Sequence, residues 1–354
     1  FGISIKDMSV KSVKEIMLPT VIISFILIFN VRQSHSKEFI HMCRESCRAI
    51  DDIKENLDIS NCSHIMLYDF NMYNDNPIKV PNRTDEVVQG YRTSNPKAKV
   101  LAIVSLRISR EVDEQVIWEK LSNLTSKFDG LVVENEIQSH YLAGKVIGYI
   151  QKKLKEENKP LFLLENVINV ISDRYYATGL HSLFDGVIIN VLKSEPYSEF
   201  IKPFESLSGI ADSSVSLNAQ IARWNAEGFE NDQIIYQMNI DKGMLYYTRE
   251  DDEARFGSPY LYILYVHFLS PYLQMKWDEI TEEAITFGYN DTNFLVMNTP
   301  RAIYLKAKFI SKKGLAGFAI SDSWADTVYS GSSNSDSGMA YLSAALEGFK
   351  NTTA

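Results

Sequence analysis

The chain has 354 residues, 45% hydrophobic and 23% charged, which is enough to bury a sizeable core and excludes a disordered chain, a collagen-like repeat and a disulfide-stapled miniprotein. Its 36 basic and 45 acidic side chains give a formal charge of −9. That balance argues against a nucleic-acid backbone as partner and favours uncharged or cationic ligands. The length suits either two average domains or one large α/β barrel.

In chain order, residues 1–36 read as a signal peptide. Lys11 and Lys14 give a basic start, Leu18 to Val31 an apolar centre, and Ser34 and Ser36 a small-residue cleavage pattern. The apolar run is short for a bilayer span, so the expectation is a secreted chain of residues 37–354 with no membrane attachment after cleavage. Residue 1 is Phe, and the seven residues ahead of Met8 fit upstream untranslated sequence. Sequons at Asn61, Asn82, Asn123, Asn290 and Asn351 agree with secretion and predict glycosylation there. Cys43, Cys47 and Cys62 are the only cysteines; in an oxidising compartment one pair closes a short loop and one thiol is left over. The six His residues are scattered without ligand spacing to these cysteines, so no metal is expected, and no cofactor is implied.

Beyond the leader, short β-rich apolar runs alternate with polar or amphipathic stretches of helical length. The runs are EFIHMC (38–43), HIMLYDF (64–70), KVLAIVS (99–105), DGLVVEN (129–135), PLFLLEN (160–166), DGVIIN (185–190), QIIYQMN (233–239) and GLAGFAIS (314–321). Helices are expected over 111–127, 140–157, 217–228 and 301–313. In the last, Ile303, Ala307 and Ile310 share one face and the lysines are assigned to the other. Near-continuous hydrophobic strands between amphipathic helices imply a parallel sheet covered by helices, and eight such units allow a closed TIM barrel. The longest interruption, residues 240–300 between the seventh and eighth strands, has an aromatic centre at 257–277 and reads as a small lid or inserted subdomain. SGSSNSDSG (330–338) reads as a solvated loop before a short final helix.

In such a barrel the chemistry sits at the carboxyl ends of the strands. The fourth strand has Asp129 at its start, Glu134 near its end and Glu136 just beyond, and period two puts Glu134 and Glu136 on one face. Neighbouring carboxylates can push each other's proton affinities apart, so that one remains an acid; capping a strand above solvent is the plainer reading.

FDGLVVENE (128–136) resembles the FDG-(Leu/Ile)-Asp-x-Asp-Trp-Glu signature of glycoside hydrolase family 18, the chitinases and chitinase-like lectins. SNCSHIMLYDFNM (60–72), NPKAKVLAIVS (95–105), WDEITEEAITF (277–287) and RAIYLKAKFISKKGLAGFAIS (301–321) resemble further segments of that family in the same order. The resemblance implies an eight-stranded α/β barrel and substrate-assisted glycoside cleavage, in which the substrate's own acetamido group is the nucleophile. It puts the proton donor at Glu136 and the acetamido-orienting acid at Glu134. The middle acid falls on Val132, which can neither relay a proton nor counter a charge.

Other departures from the family pattern follow the same direction. Its Met-x-Tyr-Asp at the sixth strand corresponds to Asn190-Val191-Leu192-Lys193, where a Lys193 facing the mouth would favour the Glu136 carboxylate over the acid. The Trp of the eighth strand corresponds to Ser321, with Trp324 three residues on. The Ser-x-Gly-Gly turn corresponds to Ile103-Val104-Ser105-Leu106, where bulk at Leu106 and Arg107 would narrow the groove. Ligand-binding candidates are therefore Tyr68, Phe70, Tyr246, Tyr247 and Trp324 as stacking platforms, with Asn190, Lys193, Gln237 and Ser321 as polar contacts. The family's disulfide maps to Cys62 with Cys43 or Cys47, and strand placement favours Cys43.

The resulting expectation is a secreted chitinase-like protein that binds chitin or N-acetylglucosamine oligomers with little or no hydrolysis. The alternatives are a slow chitinase using Glu136 and Glu134, and a protein-binding scaffold with 257–277 as its contact surface.

Overall fold

The continuous apolar runs form the strands of a closed barrel because both of their faces are covered. Strand β3 (Lys99–Arg107) is buried at every position but its ends, and β6 (Gly186–Asn190), β7 (Ile234–Asn239) and β13 (Gly317–Ser321) are buried throughout. A computed structural model describes residues 40–46, 60–137, 139–166, 179–190, 206–207, 216–240, 242–248, 255–262, 276–290, 293–321 and 340–351. The expected leader, Cys47, Lys193, Trp324 and the side chains of Tyr68, Tyr246 and Tyr247 lie outside these described residues. With β1 (Ile40–Ser46), β2 (His64–Tyr73), β4 (Gly130–Asn135) and β5 (Leu161–Asn166), the eight parallel strands close in chain order, β13 pairing back onto β1. This is the eight-stranded α/β barrel expected, with all eight apolar runs as its strands.

Helices α1 (Thr84–Ser94), α2 (Glu114–Thr125), α3 (His140–Glu156), α4 (Leu217–Ala226), α5 (Pro300–Lys312) and α6 (Ala340–Lys350) complete the described helical elements. Their starts follow from local chemistry. Asp113, Ser139, Ser216 and Thr299 each accept a backbone N–H of the first turn, and Pro300 fills the first position of α5, where a missing N–H costs nothing. The lysines of α5 do not all lie on the polar face. Lys306 is fully buried with Ile303, Ala307 and Ile310, and its amino group donates to Asn298 Oδ1. Its aliphatic stem lets it pass as a core residue once the amino end has an acceptor.

Residues between β7 and α5 form a five-stranded antiparallel sheet of β8 (Lys242–Thr248), β9 (Arg255–Tyr262), β10 (Lys276–Ile280), β11 (Ile285–Tyr289) and β12 (Asn293–Met297), in the order β10-β11-β12-β8-β9. Its first and last strands, β8 and β12, pair side by side. The chain therefore leaves and rejoins the barrel at neighbouring points, and the insertion leaves the βα repeat intact.

Inside the barrel, Met42, Met66, Leu101, Ile103, Val132, Phe162, Leu164, Ile188, Ile235 and Ala319 form one apolar cluster, a filled core of inward-facing layers. Cys43 and Cys62, both buried, form a disulfide closing 19 residues between β1 and the start of β2. Loop closure of that length stabilises by about 3 kcal/mol in the chain-entropy account.

Below this core, His64 packs edge-on against Phe162 and shares a hydrogen bond between Nδ1 and Ser63 Oγ. Burial, then the charges of Lys99 and His41, lower its pKa from 6.5 to about 4. Between those values the unfolded chain binds a proton at His64 and the folded chain does not, so stability falls as pH drops from 6.5 towards 4 and the loss levels off below that. Denaturant unfolding at pH 7 and pH 4 is expected to show roughly 3 kcal/mol of loss assigned to this residue. The difference between wild type and His64→Gln at the two pH values isolates it, and an equal pH dependence in both proteins would refute the assignment.

Candidate functional site

Moving up the barrel axis from the apolar cluster, the inward positions turn polar at the carboxyl ends of the strands. Ile103 pairs with Val132 and Ser105 with Glu134, so the face that carries core residues lower down carries Ser105, Arg107, Glu134 and Glu136 at the mouth. The same alternation brings Asn190, Gln237, Asn239 and Ser321 to the inner face of β6, β7 and β13.

These groups fall into two sectors. In the first, Ser105 Oγ donates to Glu136 Oε1 at 3.2 Å, and Arg107 Nε stands 2.8 Å from Glu136 Oε2. Arg107 Nη1 donates to Tyr73 Oη at 2.7 Å, and its guanidinium carbon lies 5.3 Å from the Tyr73 ring centroid. The hydrogen bond to Glu136, then that residue's charge, raises the Arg107 pKa above its ordinary value. Glu136 is thus the anionic partner of a cation, with both oxygens engaged. The second sector is closed. Gln237 Nε2 donates to Asn239 Oδ1 and Asn239 Nδ2 to Asn190 Oδ1, while the Ile240 N–H donates to Ser321 Oγ. All four side chains are buried, and Gln237 Oε1 has no hydrogen-bond partner among the described residues.

Several expected site residues stand elsewhere. Asp129 lies at the amino end of β4, away from the mouth, where it accepts from the Val100 N–H and from Arg92 Nη2, each at 2.8 Å. The tripeptide Phe-Asp-Gly recurs at 184–186, and Asp185 accepts from the Leu161 N–H in the same way. In both copies the Phe is buried, and a Cβ on the Gly would come within 2.7 Å of Pro160 O or 2.6 Å of Gln233 O on the following strand. The FDG part of the fourth-strand stretch is therefore a strand-joining device that the barrel uses twice; only the part from Val132 to Glu136 bears on chemistry.

Phe70 is also displaced from its expected place. A register shift in β2 between Leu67 and Phe70 reverses the alternation, so Phe70 pairs with Val104 on the outer face and stacks edge-on against Phe128 at 5.5 Å. The same bulge turns Tyr73 to the inner face beside Arg107. Leu106, expected to narrow the groove, is fully buried on the outer side; Arg107 alone of that pair stands in the mouth. Among the described residues, Arg107 is a cation beside Glu136, a role not expected of it from sequence, while the Lys193 expectation lies outside them. Continuing the period-two pattern past Ser105 would have found Arg107, but nothing in the apolar run points to Tyr73 ahead of the bulge.

Among the described residues no three His, Cys, Asp or Glu side chains converge as a metal site. Four of the sequon asparagines, Asn61, Asn82, Asn123 and Asn351, are exposed, and Asn290 is half-buried.

No protein-family profile and no curated protein matches this chain in sequence. Solved structures do match in fold. A glycoside hydrolase family 18 N-acetylglucosaminidase from Paenibacillus barengoltzii superposes with a TM-score of 0.70 at 12% identity, covering 88% of this chain and 100% of that one. The Ostrinia furnacalis Group IV chitinase, solved in complex with allosamidin, gives 0.70 at 11% identity over 89% and 100%. YKL-39, solved in the presence of chitooligosaccharides, gives 0.65 at 14% identity over 88% and 99%. At these identities the likeness establishes a shared eight-stranded α/β barrel fold.

Proposed function

We propose that the chain is a secreted, chitinase-like protein that binds chitin or other N-acetylglucosamine-containing glycans with little or no hydrolysis. The observation that supports this best is the state of Glu136. The carboxyl group at the proton-donor position is held by Arg107 and Ser105, and the position two residues below Glu134 is the core residue Val132. A general acid must be free to turn towards the leaving oxygen, and this carboxyl group has both oxygens engaged by Arg107 and Ser105. An acetamido nucleophile also needs partners that orient it within about 1 Å. The sixth strand ends in Asn190, whose Oδ1 already accepts from Asn239. The fold likeness to proteins solved with chitooligosaccharides supports the choice of ligand, and the leader and sequons support secretion.

The purified chain is expected to be retained on chitin beads and to release no fluorophore from a chitobioside substrate above the level of Glu136→Gln. Turnover that the substitution abolishes would replace this reading with the slow-chitinase one. Because the ion pair is about half exposed, Glu136→Gln should change stability by no more than about 1 kcal/mol, so the comparison is between two folded proteins.

A further inference from the structure

Resting on that reading, we propose that the sugar is gripped at the β2–β4 sector of the rim, with Tyr73 and Arg107 forming a pyranose subsite. Among the described polar groups of the mouth, those on β6, β7 and β13 are buried, whereas Arg107, Glu136 and Tyr73 are 42%, 48% and 47% exposed.

The chemistry of the sector fits a sugar ring. Tyr73 is fixed by the hydrogen bond from Arg107 and by the guanidinium against its ring, so little side-chain entropy remains to be lost when a pyranose lays its C–H face on it. A guanidinium has five N–H donors. One goes to Glu136 and one to Tyr73, which leaves further donors on a partly exposed side chain for ring hydroxyls. A carboxylate or sulfate would also suit that fork. Glu136 at 2.8 Å already answers the guanidinium's charge, and this favours a neutral sugar over an anionic one.

The test is titration of the full chain with chitotetraose. Tyr73→Ala and Arg107→Ala are each expected to weaken binding about tenfold, and Tyr289→Ala, on the inserted sheet, not at all. Tyr73→Phe should retain most of the affinity because the ring face remains, whereas Arg107→Lys should not, because it lacks the fork. Unchanged thermal midpoints establish that each variant is folded. Wild-type binding that Tyr73→Ala and Arg107→Ala leave intact overturns the subsite while leaving glycan binding in place. Absence of any glycan binding by the wild type overturns both. Tighter binding of a uronic-acid oligomer than of chitotetraose overturns the choice of a neutral sugar.

Discussion

Alanine at Gly317 is expected to leave too little folded protein to measure, a loss of more than about 4 kcal/mol against a total stability of about 5–15 kcal/mol. Gly317 opens β13, the strand that closes the barrel onto β1, and a Cβ there would overlap the Ile40 carbonyl. Both atoms in that collision are tied to backbone, and Ile40 is held by its own N–H donating to Ala316 O, so no side chain can swing away. Gly130→Ala and Gly186→Ala should be damaging to a lesser degree, since their contacts with Pro160 O and Gln233 O are at 2.7 and 2.6 Å. Gly90→Ala is the control of opposite sign. It lies inside α1 with nothing within 4 Å of the added methyl, and a helix-interior alanine should stabilise by about 1 kcal/mol. Guanidinium unfolding of the four variants gives the order directly; a Gly317→Ala protein as stable as wild type would mean that the barrel seam can open without cost.

The seam shows why the fold was legible. A strand buried on both faces has to be apolar throughout, and eight such runs at regular spacing leave few architectures open, so the barrel could be read from hydrophobicity alone. Hydrophobicity also set where that reading stopped. The runs end at Phe70 and Ser105, while β2 and β3 continue to Tyr73 and Arg107, because parallel pairing goes on after the side chains become polar. Of those added residues, Arg107 meets Glu136 and Tyr73 meets Arg107. The bulge after Leu67 then reverses the face of everything beyond it, so alternation from Met66 places Phe70 in the mouth and the structure places it under Phe128. Glu134, Glu136 and Val132 were correctly paired in space because β4 is short and regular. The inserted sheet could not be read as strands. Its β10, KWDEI, mixes charged and apolar residues without a period, and its β11, ITFGY, alternates over only five residues, too short a run to identify a strand by itself.

Lys306→Met is expected to cost about 3 kcal/mol although the new side chain is apolar, similar in length and placed in a helix face that is otherwise core. The amino group it removes donates to Asn298 Oδ1, and Asn298 in turn donates through Nδ2 to the Asn239 carbonyl while its own carbonyl accepts from Tyr341 Oη. Lysine is a donor only, so it dictates which way the Asn298 amide faces, and the amide orientation in turn satisfies a backbone carbonyl at the carboxyl end of β7. Asn239 then holds Gln237 and Asn190 through its own side chain, so the chain of bonds runs from helix α5 to the closed side of the mouth. Removing its first donor breaks the bond that orients the Asn298 amide and loosens the bonds that follow it, a larger loss than one hydrogen bond. A double-mutant cycle with Asn298→Ala should show a coupling of about 1–2 kcal/mol by denaturant unfolding. Should Lys306→Met prove as stable as wild type, burying the amino group is itself a net cost to the fold, as it is for buried ion pairs that well-packed apolar residues can replace.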